Sequence, residues 1–539
     1  LFESEFFDLQ RVEVLRGPQG TLYGRNATGG VVNMIPALPT PDFAMDAKIE
    51  VGSFDTMRAS GMLNVPIGDT LGIRVAGALT SRNGFDYNTF TQQRVNGREL
   101  WSTRASAQWE PSGRFRANFI WQHFEEDDNR SRTGKSLCTT DPGPSRFGNI
   151  TITDPLVRGR MSQGCLPKSL YDDAAYDAPN GNALSYFLAP NGVLIGRNPT
   201  TRQNVTMIRP GDPFAGVEQS RNLREIATSY DPVFRAKNDV FQLNIEFEPS
   251  DGLKFVSQTA YARDRYYSSQ DYNRFVTGPV FNDSSQPLLN ILNRPIDTAL
   301  YPGGTPGGKF CDPQLGCSDQ MLSVDISQSR NRQWSQEFRL QSDFSGPVNF
   351  NFGANYLDFK SQDDYYVFNN FFTLIAQYFY AAVHPVTRLP VPRDCPLGYE
   401  ALECIYVDPN PIQSVNGQGH NYFLSQNGVR IKSAAIFGEL YWNLANALKL
   451  TAGVRYTQDK KVSTQVPSQL MLAGGTEGAL PGQNTGGRVN SGYPALPDIH
   501  QKWNEFTGRL VLDWKPDLAF TDDTLIYASA SPGYKGGGT

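Results

Sequence analysis

No stretch of this sequence holds the roughly 18 consecutive apolar residues that a membrane-spanning helix needs. The nearest run, 371–383, is interrupted by Thr373 and Gln377. A helical membrane protein is excluded, whereas strands that are apolar only at alternate positions remain allowed. A surplus of positive charge is also lacking. The 49 Lys plus Arg against 54 Asp plus Glu leave a net charge of −5, which argues against a strongly basic nucleic-acid binder. Histidine is scarce: His123, His384, His420 and His500 lie far apart and show no HxxxH or HExxH spacing, so a catalytic metal site is not expected. There is no G-x-S-x-G elbow and no nucleophile with a nearby base. GGTPGGK at 303–309 has the glycines and lysine of a phosphate loop. However, Phe310 stands where Ser or Thr should hold Mg²⁺, with no strand before it and no helix after it. The expectation is a protein that is not an enzyme and carries no cofactor.

Cysteine is sparse and patterned. Cys138 and Cys165, Cys311 and Cys317, and Cys395 and Cys404 form three sequential pairs within Pro-, Gly- and Asp-rich regions, none with CxxC spacing. Three local disulfides would place the chain in an oxidising compartment such as the periplasm or cell surface. The chain opens on Leu1 without a signal peptide, partway through a structural unit, so it reads as a fragment and the missing leader says nothing about location.

What is abundant is glycine (50), proline (36) and aromatic residues (24 Tyr, 33 Phe, 7 Trp), a mix that suits strands and turns. Apolar and polar residues alternate over segments of roughly ten residues, the length of a tilted membrane-crossing strand. Phe241, Leu243, Ile245 and Phe247 alternate with Gln242, Asn244 and Glu246, and Leu448, Leu450, Ala452, Val454 and Tyr456 with Lys449, Thr451, Gly453 and Arg455. Thirteen strands are predicted, near 46–53, 57–66, 71–82, 99–110, 115–125, 238–248, 253–264, 333–344, 348–360, 433–444, 448–459, 505–514 and 524–534. Tight turns such as Pro249-Ser250-Asp251-Gly252 alternate with long connections near 83–98, 126–237, 265–332, 361–432 and 460–504. Only the first connection, at 55–56, is short where a long one is due. An antiparallel meander with its long loops at one end is the topology of a transmembrane β-barrel, the long loops lying outside the cell and the short turns facing the periplasm. A soluble sandwich would not keep its long loops at one end. Trp101, Trp109, Trp121, Trp334, Trp442 and Trp514 near strand ends fit interfacial girdles.

Residues 11–36 read RVEVLRGPQGTLYGRNATGGVVNMIP, and 525–539 read LIYASASPGYKGGGT. The first resembles the end of the plug domain of TonB-dependent outer-membrane receptors, matching at Glu13, Arg16, Gly17, Pro18, Tyr23, Gly24, Gly29, Gly30 and Asn33. The second resembles a barrel motif of that family, with Pro532 where arginine is common. The resemblance implies a plug remnant at 1–40 and the first part of a barrel at 41–539, with about 13 of the family's roughly 22 strands present. It also implies energy-coupled uptake of a scarce nutrient across the bacterial outer membrane, a ferric siderophore first, with haem, cobalamin or a glycan as alternatives. Expected partners are TonB with ExbB and ExbD, acting through a missing plug N-terminus, and outer-membrane lipid with lipopolysaccharide. A passive porin and a secreted soluble β-rich binding protein are the competing readings.

The resemblance further implies ion pairs between plug and barrel. By alternation Glu337 and Glu439 point into the lumen, and they are expected to meet Arg11 and Arg16. In the long loops, Tyr266, Tyr267 and Tyr272, and Tyr365 and Tyr366 within an aromatic cluster that runs on to Tyr378, Phe379 and Tyr380, are candidate ligand contacts. Packing of the loops into a lid is the competing use of these rings. The acidic run 125–128 reads as a solvated strand tip.

Overall fold

The structure is a computed structural model that describes residues 6–184, 194–285, 287–289, 295–296, 305–374, 412, 423–469 and 495–537. Cys395, Cys404, Tyr378, Phe379, Tyr380, His384 and His420 lie outside these.

A two-stranded hairpin comes first. It joins β1 (Leu9–Arg16) to β2 (Gly30–Pro36) through a short helix α1 (Gly20–Tyr23). Thirteen further strands form one antiparallel sheet in which every neighbour in space is a neighbour in sequence. They are β3 (Ala44–Gly52), β4 (Thr56–Ile67), β5 (Leu71–Arg82), β6 (Arg98–Ser112), β7 (Phe115–Asp128), β8 (Val233–Ser250), β9 (Leu253–Asp271), β10 (Ser323–Ser342), β11 (Val348–Asn369), β12 (Phe423–Ala445), β13 (Leu448–Gln469), β14 (Ile499–Trp514) and β15 (Ile526–Ala530). All thirteen expected strands are present in the expected order. β3 and β15 are the two edges of the sheet and do not pair with each other. The early exception at 55–56 is a tight turn in which Phe54 and Asp55 both take positive φ (59° and 51°), the geometry that matches strand twist.

One face of the sheet is apolar and open. Phe119, Leu243, Phe247, Phe338, Phe352, Ile436, Val454 and Phe506 all point away from the hairpin and are exposed, with no second layer over them among the described residues. In water such a face would be an aggregation hazard, and in lipid it is the required surface. Trp109, Trp442 and Trp514 lie on this face beside the short turns, and Trp121 and Trp334 six to eight residues toward the loop end. No helix of the described residues is long and apolar enough to cross a membrane. The opposite face carries Arg74, Arg104, Asn118, Asn351, Glu439, Arg455 and Asp459, all buried.

At the loop end the strands run well beyond the predicted bounds; β11 reaches Asn369 and β12 begins at Phe423. Above them the long connections form a cap with its own hydrophobic core. Met207, Ile208 and Phe214 from one loop pack with Phe281, Phe310 and Met321 from the next and with Phe371 and Leu374 from a third. Cys138 is bonded to Cys165 and Cys311 to Cys317 within this cap. Thr305 of the GGTPGGK stretch is buried, its hydroxyl donating to the Asn282 carbonyl (2.6 Å).

Candidate functional site: the plug seat and the outer vestibule

The hairpin is shaped by its glycines. Gly17 (φ 75°) and Gly24 (φ 79°) turn the chain in and out of α1. A Cβ on Gly30 would sit 2.6 Å from the Leu15 carbonyl oxygen, so only glycine closes the pair Arg16–Gly30. Glu13 faces Asn33 across the hairpin. The Asn33 amide donates to it (3.2 Å), and so does Arg11 from two residues away (2.7 Å). The Arg11 guanidinium, and after it the Asn33 amide, hold the Glu13 carboxyl below its usual range.

The expected meeting of Arg11 and Arg16 with Glu337 and Glu439 is not found. Arg11 is taken up by Glu13 and Gln10, and Arg16 is exposed. Both glutamates do point into the lumen, but barrel arginines neutralise them. Arg339 bonds Glu337, and Arg509 lies 3.4 Å from Glu439, which also accepts from the Tyr441 hydroxyl (2.9 Å). Sequence alternation gives the face but not which of many inward charges lie at the same height.

The plug is instead seated at two other points. At its start, Arg74 of β5 pairs with Asp8, and Arg104 of β6 donates to the carbonyls of Phe7 (3.2 Å) and Asp8 (3.1 Å) with its guanidinium 4.8 Å over the Phe7 ring. At α1, Arg25 lies 3.4 Å from Asp459 of β13, a fully buried carboxylate that also accepts from the Tyr534 hydroxyl (3.1 Å). Thr21 packs over Gly453, where a Cβ would lie 2.9 Å from Thr21 and 2.7 Å from Glu439. Gly20 lies against Thr507 and Gly24 against Arg455. The stretch after β15 closes the seat. Ser531 donates to the Pro18 carbonyl (2.7 Å), the Asn26 amide donates to the Tyr534 carbonyl (2.9 Å), and Gly533 passes directly over Thr28. Hence the two sequence segments that carried the resemblance meet: residues 18–28 of the first contact residues 531–534 of the second.

At the loop end the lumen opens into a cleft of about 370 Å³ rich in cations: Arg82, Arg98, Arg130, Arg132, Lys135 and Arg224. Glu126 serves both Arg98 (2.8 Å) and Arg130 (3.1 Å), Asp325 pairs with Arg132 (2.7 Å), and Asp86 pairs with Arg224 (3.3 Å). Lys135 is held by the carbonyls of Ser220, Asn222 and Glu225, and burial pushes its ammonium below the usual lysine range. These cations, at strand ends (Arg82, Arg98) and in the loops (Arg130, Arg132, Lys135, Arg224), carried no periodic signal in the sequence.

The candidate aromatics divide. Tyr366 is fully buried among Val324, Ile326, Phe368 and Leu424 and cannot touch a ligand. Tyr266 packs edge-on to Phe234 (5.3 Å), Tyr267 joins the Tyr366 cluster, and Tyr365 donates to Asp325 (3.0 Å). Tyr272 alone of the five is exposed. Four of the five rings are thus taken up by packing or hydrogen bonding at the loop-side ends of the strands, where burial removes apolar area from water.

A hairpin held against the polar face of a wall whose outer face is apolar is the architecture of a plugged β-barrel. The sequence matches the families described as TonB-dependent Receptor Plug Domain over residues 1–31 and TonB dependent receptor-like, beta-barrel over 167–539, and the chain belongs to the TonB-dependent receptors. It is 42% identical over 69 residues to the catecholate siderophore receptor Fiu of Escherichia coli (13% of this chain, 9% of that protein). It is 39% identical over 101 residues to the pesticin receptor of Yersinia pestis (18% and 14%). Solved structures with the same fold include the ferric yersiniabactin uptake receptor FyuA of Yersinia pestis (TM-score 0.53, 15% identity, 98% of this chain and 52% of that one). The ferric-catecholate import receptor Fiu of E. coli K12 is a second (TM-score 0.53, 14%, 98% and 60%). The chain thus spans between half and two thirds of the length of these receptor structures. Barrels of this family are outer-membrane proteins, and these relatives are transport receptors rather than enzymes.

Proposed function

We infer that the protein takes up a ferric siderophore across the bacterial outer membrane, with residues 1–40 acting as plug and 41–539 as barrel wall. The observation that carries this reading is the seat of the plug: Asp8–Arg74 at one point, Arg25–Asp459–Tyr534 at the other. A wall built for passive diffusion has no need of an element fixed across its lumen, whereas a gated importer does. Buried ion pairs suit such a gate. They fix the plug in one place, and their strength over water-exposed pairs rests on staying dry, so a pull that admits water weakens them. In this reading TonB, energised through ExbB and ExbD, supplies that pull through plug sequence outside this chain.

The cation-rich vestibule supports an anionic ligand. A ferric catecholate or a carboxylate-bearing chelate would replace part of the pairing that Asp86, Glu126 and Asp325 provide. The test is uptake of ⁵⁵Fe supplied as a catecholate chelate by cells expressing the full-length protein. Uptake that vanishes on deletion of TonB or addition of a protonophore supports the reading. Uptake indifferent to both would make it a passive pore, and no uptake with any iron chelate would remove the siderophore assignment.

A further inference from the structure

Arg455 of β13 is a cation that neither the plug seat nor the vestibule accounts for. Its side chain points into the lumen, the residue is 2% exposed, and it makes no ion pair among the described residues. Its Nε donates to the Thr457 hydroxyl (3.0 Å). Its Nη2 donates to the side-chain oxygen of Asn355 on β11 (3.0 Å), where the register sets only the small Ala435 between Asn355 and Thr457. Its Nη1 has no partner among the described residues. The guanidinium lies 5.3 Å from the Phe437 ring, and the plug covers it, since a Cβ on Gly24 would sit 3.0 Å from Nη2. A buried cation without a counter-charge is costly, and two hydrogen bonds to neutral groups offset only part of that cost.

Asp459 is the complementary case. It lies on the same strand and the same lumenal face, with Thr457 between the two. One carboxylate oxygen takes Arg25 and Tyr534, and the other, Oδ1, has no partner among the described residues. Residues four apart along a strand have Cα atoms about 13 Å apart, a span that an extended arginine, an aspartate and one hydrogen bond together cover. Arg455 already leans along the strand toward Thr457. Two plug residues keep the pair from forming: Gly24 covers Arg455 and Arg25 occupies Asp459. They are adjacent in sequence, so a movement that lifts one lifts the other.

We propose that Arg455 is a positioning residue of the gate: as the plug lifts, its guanidinium leaves Asn355 and takes over Asp459 from Arg25. The proposal rests on the reading of residues 1–40 as a movable plug. The exchange gives Asp459 a cationic partner in both states, so lifting strands no charge in the lumen. It favours the lifted state alone, because Arg455 and Asp459 stay apart while the plug is seated.

The test uses the full-length protein with Thr21→Cys, a buried position of the seat, and reads maleimide labelling under conditions slow relative to reseating. Arg455→Gln removes the incoming cation. The lifted state then loses a charge-assisted hydrogen bond, and labelling should slow by ~10-fold. Asn355→Ala removes the partner that Arg455 must leave, and should speed labelling by ~5-fold. In the Asp459→Asn background both effects should shrink to about twofold or less, since no carboxylate waits to be taken over. A merely structural Arg455 predicts the reverse: its loss loosens the packing on Gly24 and speeds labelling, whatever the charge at 459. Faster or unchanged labelling in Arg455→Gln, unchanged labelling in Asn355→Ala, or effects that persist in the Asp459→Asn background would overturn the proposal. Heat-modifiable gel mobility checks that each barrel is folded, and if Arg455→Gln is not, the Asn355→Ala pair decides by the same comparison. Arg25→Ala separates the two layers of the argument. If it speeds labelling while Arg455→Gln and Asn355→Ala do nothing, only the handover fails; if residue 21 stays unlabelled in every variant, the plug does not lift and the gate fails with it.

Discussion

Arg25→Ala tests the plug seat at its most buried point. Asp459 is fully buried and has two partners, the Arg25 guanidinium at 3.4 Å and the Tyr534 hydroxyl at 3.1 Å. Removing one partner of a buried pair costs ~3–5 kcal/mol when the remaining charge is wholly uncompensated. Here the cost is smaller, because the Arg25 side chain is 26% exposed and Tyr534 stays in place. We take ~2 kcal/mol, which shifts the equilibrium between seated and lifted plug by about 30-fold. Thr21 is buried in the same seat. A Thr21→Cys reporter in the full-length protein should therefore react with a maleimide only when the plug lifts. With labelling slow relative to reseating, read by mass spectrometry on the peptide carrying residue 21, Arg25→Ala should raise the rate about 30-fold. Adding Asp459→Asn removes the stranded charge and should bring the rate back to within about threefold of the parent. A rate within twofold of the parent in Arg25→Ala would refute the reasoning, because Asp459 would then not hold the plug.

Three further outcomes follow from the same contacts. Gly453→Val pushes a side chain into Thr21 and Glu439 and should unseat the plug at α1, giving labelling at residue 21 faster than in Arg25→Ala while heat-modifiable mobility is kept. Reversing two vestibule charges, Arg132→Glu with Arg224→Glu, should weaken binding of an anionic ferric chelate by at least ~10-fold, read by fluorescence quenching, and leave a neutral chelate unaffected. Replacing Cys138 by Ser opens a 27-residue loop and should cost the cap about 2–4 kcal/mol. Limited proteolysis should then cut between residues 138 and 184 first, with the barrel strands resistant.

Strand number, order and facing were legible because lipid imposes a strict period of two on each membrane-crossing segment. Phe241, Leu243, Ile245 and Phe247 announced their face without any knowledge of neighbours. The strand ends were not legible at the loop side for the same reason. Past Tyr261 or Trp334 the outer face changes from apolar to Arg263 and Arg332, the hydrophobic period disappears, and the ladder between the two strands nonetheless continues to Asp271 opposite Val324. The plug motif was legible through its glycines, whose spacing reflects positive φ at Gly17 and Gly24 and close approach at Gly30. Its ionic partners were not. Arg11 and Arg16 are the conspicuous cations of the motif, yet Arg25, one residue past the last turn glycine, reaches Asp459, 434 positions away. Such pairings depend on strand stagger and plug tilt, which no local pattern records. The loop tyrosines misled in a similar way. An aromatic cluster in a long connection looks the same whether it serves a ligand or, as for Tyr366, a buried cluster at the loop-side ends of the strands.

The most direct test of the account is a spin-label scan along β8 in the full-length protein reconstituted into lipid, one label at a time from residue 241 to 247. Labels at 241, 243, 245 and 247 should collide freely with dissolved oxygen and be shielded from a water-soluble nickel chelate, and those at 242, 244 and 246 should show lower oxygen access. Uniform exposure to the nickel chelate, or burial of both sets, would show that this face of the sheet does not meet lipid.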